Sequence, residues 1–349
     1  MKAVLIERPH EVAWVELETP TVGPGEMLVR SHAAGVCRTD LEILHGALAG
    51  DLVRFPLVPG HEWSGTVTEL GDGVTDLDVG DRVVCEGMIP CNRCRRCKEG
   101  ATQLCLNYDQ IGFTRHGGYG EYVRVPGHVV HRLPTGISFA AGVLVEPASC
   151  VQRALERARP RPGDTVGVIG IGTLGSLAVT LAALYSPGAL VAYGAREEEL
   201  DLARGLGATA TVHVSEQDAV ATTHAEQGGG LDVVIETAGS VAAVELATRL
   251  VRPGGRVVLL GVAGAGKTLE LPADRIMLAD MDLIGSCSYS TSAWSSVLRL
   301  LERGLVDFDP IVTHRFPADR FEEAFAVLEQ REGTVAKVLL EHAPVGAGE

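Results

Sequence analysis

The run TVGVIGIGTLGSLAVTLAALY, residues 165–185, limits what this chain can fold into more than any other stretch. An apolar segment leads into Gly170, Gly172 and Gly175, spaced GxGxxG, and an amphipathic segment follows. The glycines let a strand turn sharply into a helix, and with Thr173 and Leu174 they let a pyrophosphate approach the amides of the helix's first turn. Apolar strands then alternate with helical stretches through ALVAYG, EEELDLARGLGA, LDVVIETAG, VAAVELATRLV, GRVVLLG and DLIGSCS. Such alternation builds βαβ units, so the spacing predicts an α/β cofactor domain with a doubly wound parallel sheet over residues 147–287. Residues 1–146 read as short β-type runs broken by Gly and Pro, a strand-rich domain of its own. Residues 288–349 add a helical stretch, the strand IVTHRF, a second helix and VAKVLLEH, a segment read as returning to the first domain.

The chain has 349 residues, more than one compact core usually serves, which agrees with two domains. Its 45 acidic residues against 30 Lys and Arg give a net charge of -15, which disfavours nucleic acid and anionic membranes as partners. The opening MKAVLIERPH carries too short an apolar run for an export signal. The most apolar long stretch, Leu174 to Tyr185, is too short to span a bilayer. A cytoplasmic protein is expected.

Four of eight cysteines crowd into PCNRCRRCKEGATQLC as Cys91, Cys94, Cys97 and Cys105. Four thiolates on short loops can close a tetrahedron around zinc and leave no position open, so a structural lobe is expected over about residues 85–107. An iron-sulfur cluster is the rival; the long last spacing and Leu106 after the fourth cysteine depart from the bacterial ferredoxin run. A second set of metal-binding residue types is scattered: Cys37 in AAGVCRTDLE, His61 and Glu62 in VPGHEWSG, and Glu146 in LVEPASC. Cysteine, histidine and carboxylate together would suit a catalytic zinc with one open position.

Over almost its full length the sequence resembles the zinc-containing medium-chain alcohol dehydrogenases, on GVCRTD, PLVPGHEWSGTV, VGDRVV, the cysteine lobe, GGYGEYVRVP and the glycine motif. LVEPASC and IVTHRFPADRFEEAF resemble the sorbitol and threonine dehydrogenase branch. The resemblance implies a GroES-like β-rich catalytic domain beside a Rossmann cofactor domain, two zinc ions per chain, and a homodimer or homotetramer joined edge to edge around Leu283 to Ser286. It implies that Cys37, His61 and Glu62 contact the catalytic zinc, with Glu146 bound directly or through water. Thr39 matches the hydroxyl that meets the substrate oxygen and starts a proton relay, and Glu42 stands where relatives often have a histidine. Asp40 is read either as support for the metal ligands or as an ordinary helix cap.

The second strand of the cofactor domain ends at Gly194, where an NAD site would place an acid. Gly194, Ala195 and Arg196 look like the NADP-preferring members, with Arg196 placed to meet a 2′-phosphate; the alternative is a surface arginine paired with Glu199. NADP(H) is therefore expected over NAD(H). The segment GVAGAGKT, residues 261–268, satisfies a P-loop pattern, but Pro272 falls where the required helix would need an amide donor. Gly261 and Val262 are read instead as a loop bordering the nicotinamide. The expected reaction is hydride transfer between a nicotinamide dinucleotide and a secondary alcohol or ketone, with polyols, cyclitols and sugar derivatives as candidates. Ser288, before Tyr289, replaces an arginine that in the sorbitol branch helps bind polyol hydroxyls, which weakens a polyol preference. A non-catalytic NADPH-binding protein on the same scaffold is the alternative, and it would be expected to have lost metal ligands.

Overall fold

The computed structural model describes residues 1–48 and 50–343. They form two compact units, one of residues 1–146, 290–332 and 337–343, the other of 147–289 and 333–336. The first unit opens with a hairpin, β1 (Lys2–Arg8) and β2 (Glu11–Glu16). Next come β3 (Glu26–Val36), β4 (Trp63–Leu70), β5 (Arg82–Cys85), β6 (Tyr122–Pro126) and β7 (Val130–Arg132).

The second unit holds β8 (Thr165–Ile169), β9 (Ala189–Gly194), β10 (Ala210–His213), β11 (Leu231–Glu236), β12 (Val251–Leu259) and β13 (Asp282–Gly285). They pair in the order β10-β9-β8-β11-β12-β13, parallel throughout. Val166, Val168, Val191, Val233, Val234 and Ile235 are buried almost completely, as expected of strands covered on both faces. The order reverses between β8 and β11, and in open parallel sheets ligands bind beyond the strand ends at such a point.

The chain then returns to the first unit with β14 (Val312–Pro317) and β15 (Lys337–Glu341). The resulting sheet runs β14-β15-β3-β4-β5-β7, with β6 also paired to β3. The long central strand β3 takes β15 on one side, Val338 opposite Val36, and β4 on the other, Ala34 opposite Trp63. Its three partners bring segments from distant parts of the chain against one strand. No helix among the described residues is long and apolar enough to cross a membrane.

The last described residues carry a pH-sensitive contact. His342 donates its amide to the His32 carbonyl at 3.0 Å, and its Nε2 lies 3.0 Å from the Gly118 carbonyl. The His32 ring stacks on Phe139 with centroids 4.2 Å apart. Burial, then the charges of Arg30, His342 and Arg82, lowers the His32 pKa from 6.5 to about 4, and burial likewise lowers that of His342. A histidine held neutral in the fold contributes stability that is complete above the unfolded pKa of 6.5 and is lost as the pH falls towards 4. The urea midpoint is therefore expected to drop across that interval, and His32→Asn should make the drop shallower.

Candidate metal centres and cofactor site

Cys37 follows β3 and caps the helix Arg38–Leu44. Its amide donates to Asp40 Oδ2 at 2.9 Å, so the completely buried Asp40 closes the first turn of that helix. His61 and Glu62 come just before β4, after Gly60, whose φ of 95° and closeness to the Tyr119 ring admit no side chain: a Cβ would stand 2.5 Å from that ring. One ligand atom each from Cys37, His61 and Glu62 fall within 4.8 Å of one another.

His61 turns Nδ1 towards Asp40 Oδ1 at 3.5 Å, a loose contact, and neither atom is otherwise hydrogen-bonded. This leaves Nε2 as the ring nitrogen for a metal, the arrangement in which a carboxylate behind a histidine orients it. Burial alone would lower the His61 pKa, but the Asp40 carboxylate more than reverses the effect. Asp40 Oδ2 is held in turn by the buried Tyr119 hydroxyl at 2.8 Å. Asp40 thus both caps the helix and backs His61. A thiol, an imidazole backed by a carboxylate, and a carboxylate fit a zinc ion.

Two residues escaped the sequence reading. Tyr119 is one. The other is Lys337 on β15, an ammonium 1% exposed, which bonds Glu62 Oε2 and reaches the Val36 carbonyl at 3.4 Å. Burial alone would lower its pKa, and Glu62 and then Cys37 more than offset this, so the cation persists. A lysine inside the apolar run VAKVLL was the available signal.

Glu146, in the first turn of the helix Val145–Ala158, is buried but stands outside the tight trio. Burial raises its carboxyl to about 7, with His61 and Lys337 opposing and Glu62 adding to the shift. Thr39 places Oγ1 3.6 Å from Cys37 Sγ. Glu42, one turn further along the same helix, lies 3.7 Å from Arg38 Nε.

In the cysteine lobe all four sulfurs lie within 4.8 Å of one another, with Cys94 and Cys97 at 3.5 Å and Cys91 and Cys97 at 4.0 Å. A zinc–sulfur tetrahedron has edges of about 3.8 Å, whereas a multi-iron cluster needs a wider cage. Amide donors converge on the sulfurs: Cys94 N on Cys91 at 3.4 Å, and Cys97 N and Leu106 N on Cys94 at 3.5 Å. The Arg93 amide, then the Asn107 side chain, lower the Cys91 pKa to about 5. Burial and the neighbouring thiols push Cys97 up to about 12. Arg95 and Arg96 also pair with Glu99, at 2.6 and 3.2 Å.

In the second unit Gly170 has a φ of 86°, and a Cβ on Gly175 would lie 1.8 Å from the Gly170 carbonyl oxygen. Gly172 caps the helix Thr173–Ala183; Thr173 Oγ1 bonds the Ala336 carbonyl, and Leu174 is partly exposed. Gly194 ends β9, Ala195 is exposed, and Arg196 caps the next helix with its guanidinium on Glu199. Gly261 and Val262 follow β12, with Val262 73% exposed. No helix starts at Lys267 or Thr268; the next one, Ala273–Leu278, begins only after Pro272, so GVAGAGKT lacks the helix that a P-loop requires.

Asp40→Asn should weaken metal retention at the trio of Cys37, His61 and Glu62 by about 10- to 100-fold while the lobe keeps its own, measured as zinc per chain during chelator competition. Gly175→Ala should abolish binding of a reduced nicotinamide dinucleotide, read by cofactor fluorescence, because the added methyl has no space.

Residues 23–135 match the alcohol dehydrogenase GroES-like domain, and residues 173–303 match the zinc-binding dehydrogenase domain. An erythritol/L-threitol dehydrogenase of Mycolicibacterium smegmatis is 34% identical over 97% of each chain, and a sorbitol dehydrogenase of Bacillus subtilis and an L-threonine 3-dehydrogenase of Bacillus velezensis are 29% and 31% identical over 97% of this chain and 97% and 98% of theirs. A zinc-binding dehydrogenase of Sinorhizobium meliloti 1021 solved with NADP superposes with a TM-score of 0.90 at 32% identity, covering 97% of this chain and 98% of that one. An alcohol dehydrogenase of E. coli CFT073 solved with NADH also gives 0.90, at 27% identity over 98% and 99%. With a GroES-like unit, a six-stranded parallel sheet, a four-cysteine zinc lobe and this degree of likeness, the chain belongs to the zinc-containing medium-chain alcohol dehydrogenases, as a nicotinamide-dependent oxidoreductase of the branch that includes sorbitol and threonine dehydrogenases.

Proposed function

We propose that the enzyme interconverts a secondary alcohol and its ketone with NADP(H), and that Cys37, His61 and Glu62 hold its catalytic zinc, with Glu146 in reserve. The observation that carries this reading is the trio of half-buried Cys37 and buried His61 and Glu62, with Asp40 behind His61. Zinc bound there supplies a Lewis acid that favours the alkoxide, and the nicotinamide supplies the hydride acceptor.

The protein's own groups manage protons and charge. Thr39 Oγ1 accepts the proton of the substrate hydroxyl and passes on its own, with the Glu42 carboxylate, three residues along the helix, as the exit. Tyr119 fixes Asp40, and Asp40 fixes the His61 ring. Lys337 holds Glu62 by one oxygen and leaves the other for the metal. Gly170, Gly172, Thr173, Leu174 and Gly175 receive the pyrophosphate, and Gly261 and Val262 border the nicotinamide.

Support for NADP(H) comes from the absent acid at Gly194, from Arg196 beside it, and from the Sinorhizobium relative solved with NADP. The erythritol/L-threitol dehydrogenase supports a polyol or related sugar derivative as substrate, despite Ser288 before Tyr289. The sheet edge at β13, flanked by Met277 and Leu278 at 67% and 77% exposure, suits pairing with a second copy.

The direct test is oxidation of NADPH and NADH against ketones, ketoses and oxidised cyclitols, with a chelator control. Turnover that survives loss of the catalytic zinc would sink the reading. Thr39→Val is expected to lower kcat by about 10²- to 10⁴-fold with NADPH affinity unchanged.

A further inference from the structure

The end of β9 is shaped by a residue that the glycine-and-arginine reading leaves out. Gly194 offers no side chain there, yet the space is not without a carboxylate. Glu199, on the first turn of the helix Glu197–Gly205, folds back so that its Oε2 lies 3.6 Å from the position of a Cβ on Gly194. A Cβ at residue 194 would meet Leu200 Cδ2 first, at 2.9 Å, with this carboxylate oxygen next to it. Glu199 is 7% exposed, and its Oε1 is bound by the Arg196 guanidinium, whose side chain is 30% exposed. Two of the other acids of the helix, Glu197 and Asp201, hold Arg204.

We propose that Glu199 sets the balance between the two nicotinamide dinucleotides, its carboxylate accepting the adenosine ribose hydroxyls of NAD(H) and restraining Arg196 from the 2′-phosphate of NADP(H). The inference rests on the reading of Arg196 as the phosphate ligand. With NAD(H), the ribose hydroxyls donate to the Glu199 carboxylate while Arg196 stays paired with it, so the ion pair is kept. With NADP(H), the phosphate must draw Arg196 away from a partly buried partner and lie beside that partner's negative charge. A single carboxylate therefore acts on the two cofactors with opposite sign, and a search for an acid at the strand end misses it because it arrives from five residues later.

Dissociation constants of NADPH and NADH, read from nicotinamide fluorescence on the protein, test this without reference to turnover. Glu199→Gln keeps the shape and removes the charge. It should tighten NADPH and weaken NADH, each by about tenfold, the effect of one hydrogen bond to a charged group. Glu199→Asp keeps the charge but withdraws it by one methylene, and should weaken NADH with a smaller change in NADPH. Arg196→Ala should weaken NADPH and spare NADH. If Arg196→Ala weakens NADPH but neither Glu199 variant alters the ratio of the two constants, the role given to Glu199 is wrong. If Arg196→Ala leaves NADPH unchanged, the fault lies in the reading of Arg196 itself.

Discussion

A buried ion pair governs the β-rich unit. Lys337 and Glu62 are 1% and 3% exposed, and each would cost several kcal/mol to bury alone. They lie 275 residues apart, so the charge of one is tolerated only when the chain has brought the other home. That requirement explains why β15 must dock beside β3, with Val338 opposite Val36, before the ground around Cys37 and Glu62 is settled. Gly35 makes the approach possible, since a Cβ there would stand 2.3 Å from Glu62 Oε2 and 3.2 Å from Lys337 Nζ. The same closeness holds the Glu62 carboxylate beside Cys37 and His61.

The parts of the site that were legible in the sequence are those encoded locally. Cys91, Cys94, Cys97 and Cys105 fall within fifteen residues, and loops of that length leave the sulfurs few places to go. The glycine turn could be read because Gly170 and Gly175 serve contacts five residues apart. The false P-loop was legible for the same reason, since Pro272 lies close enough to GVAGAGKT to forbid its helix. The two readings of Asp40 turned out not to compete: one carboxylate oxygen takes the Cys37 amide and the other faces His61.

What remained hidden depends on chain segments meeting across the fold. Tyr119 reaches Asp40 over a separation of 79 residues, and nothing in GGYGEYVRVP announces it. Lys337 could be marked as an oddity in an apolar strand, but its partner could not be named without the register of β15 on β3. Glu199 was visible as a mate for Arg196, because three residues along a helix start is a local relation. Its closeness to Gly194 was not, because this follows from how the helix folds back on the strand end.

The return of β15 also sets an order of events during synthesis. Domains tend to fold as units while the chain emerges, and the cofactor unit is almost continuous, from Pro147 to Tyr289. The β-rich unit begins to emerge earlier, yet its central strand β3 waits for β15, some three hundred residues later, and such distant pairings form slowly. The half-made sheet therefore exposes the edge of β3, and Glu62 in its neighbourhood lacks its cation, until nearly the whole chain is out. The segment translated first is thus among the last to reach its final form, and the side chains of Cys37, His61 and Glu62 take their finished arrangement only once Lys337 has arrived beside them.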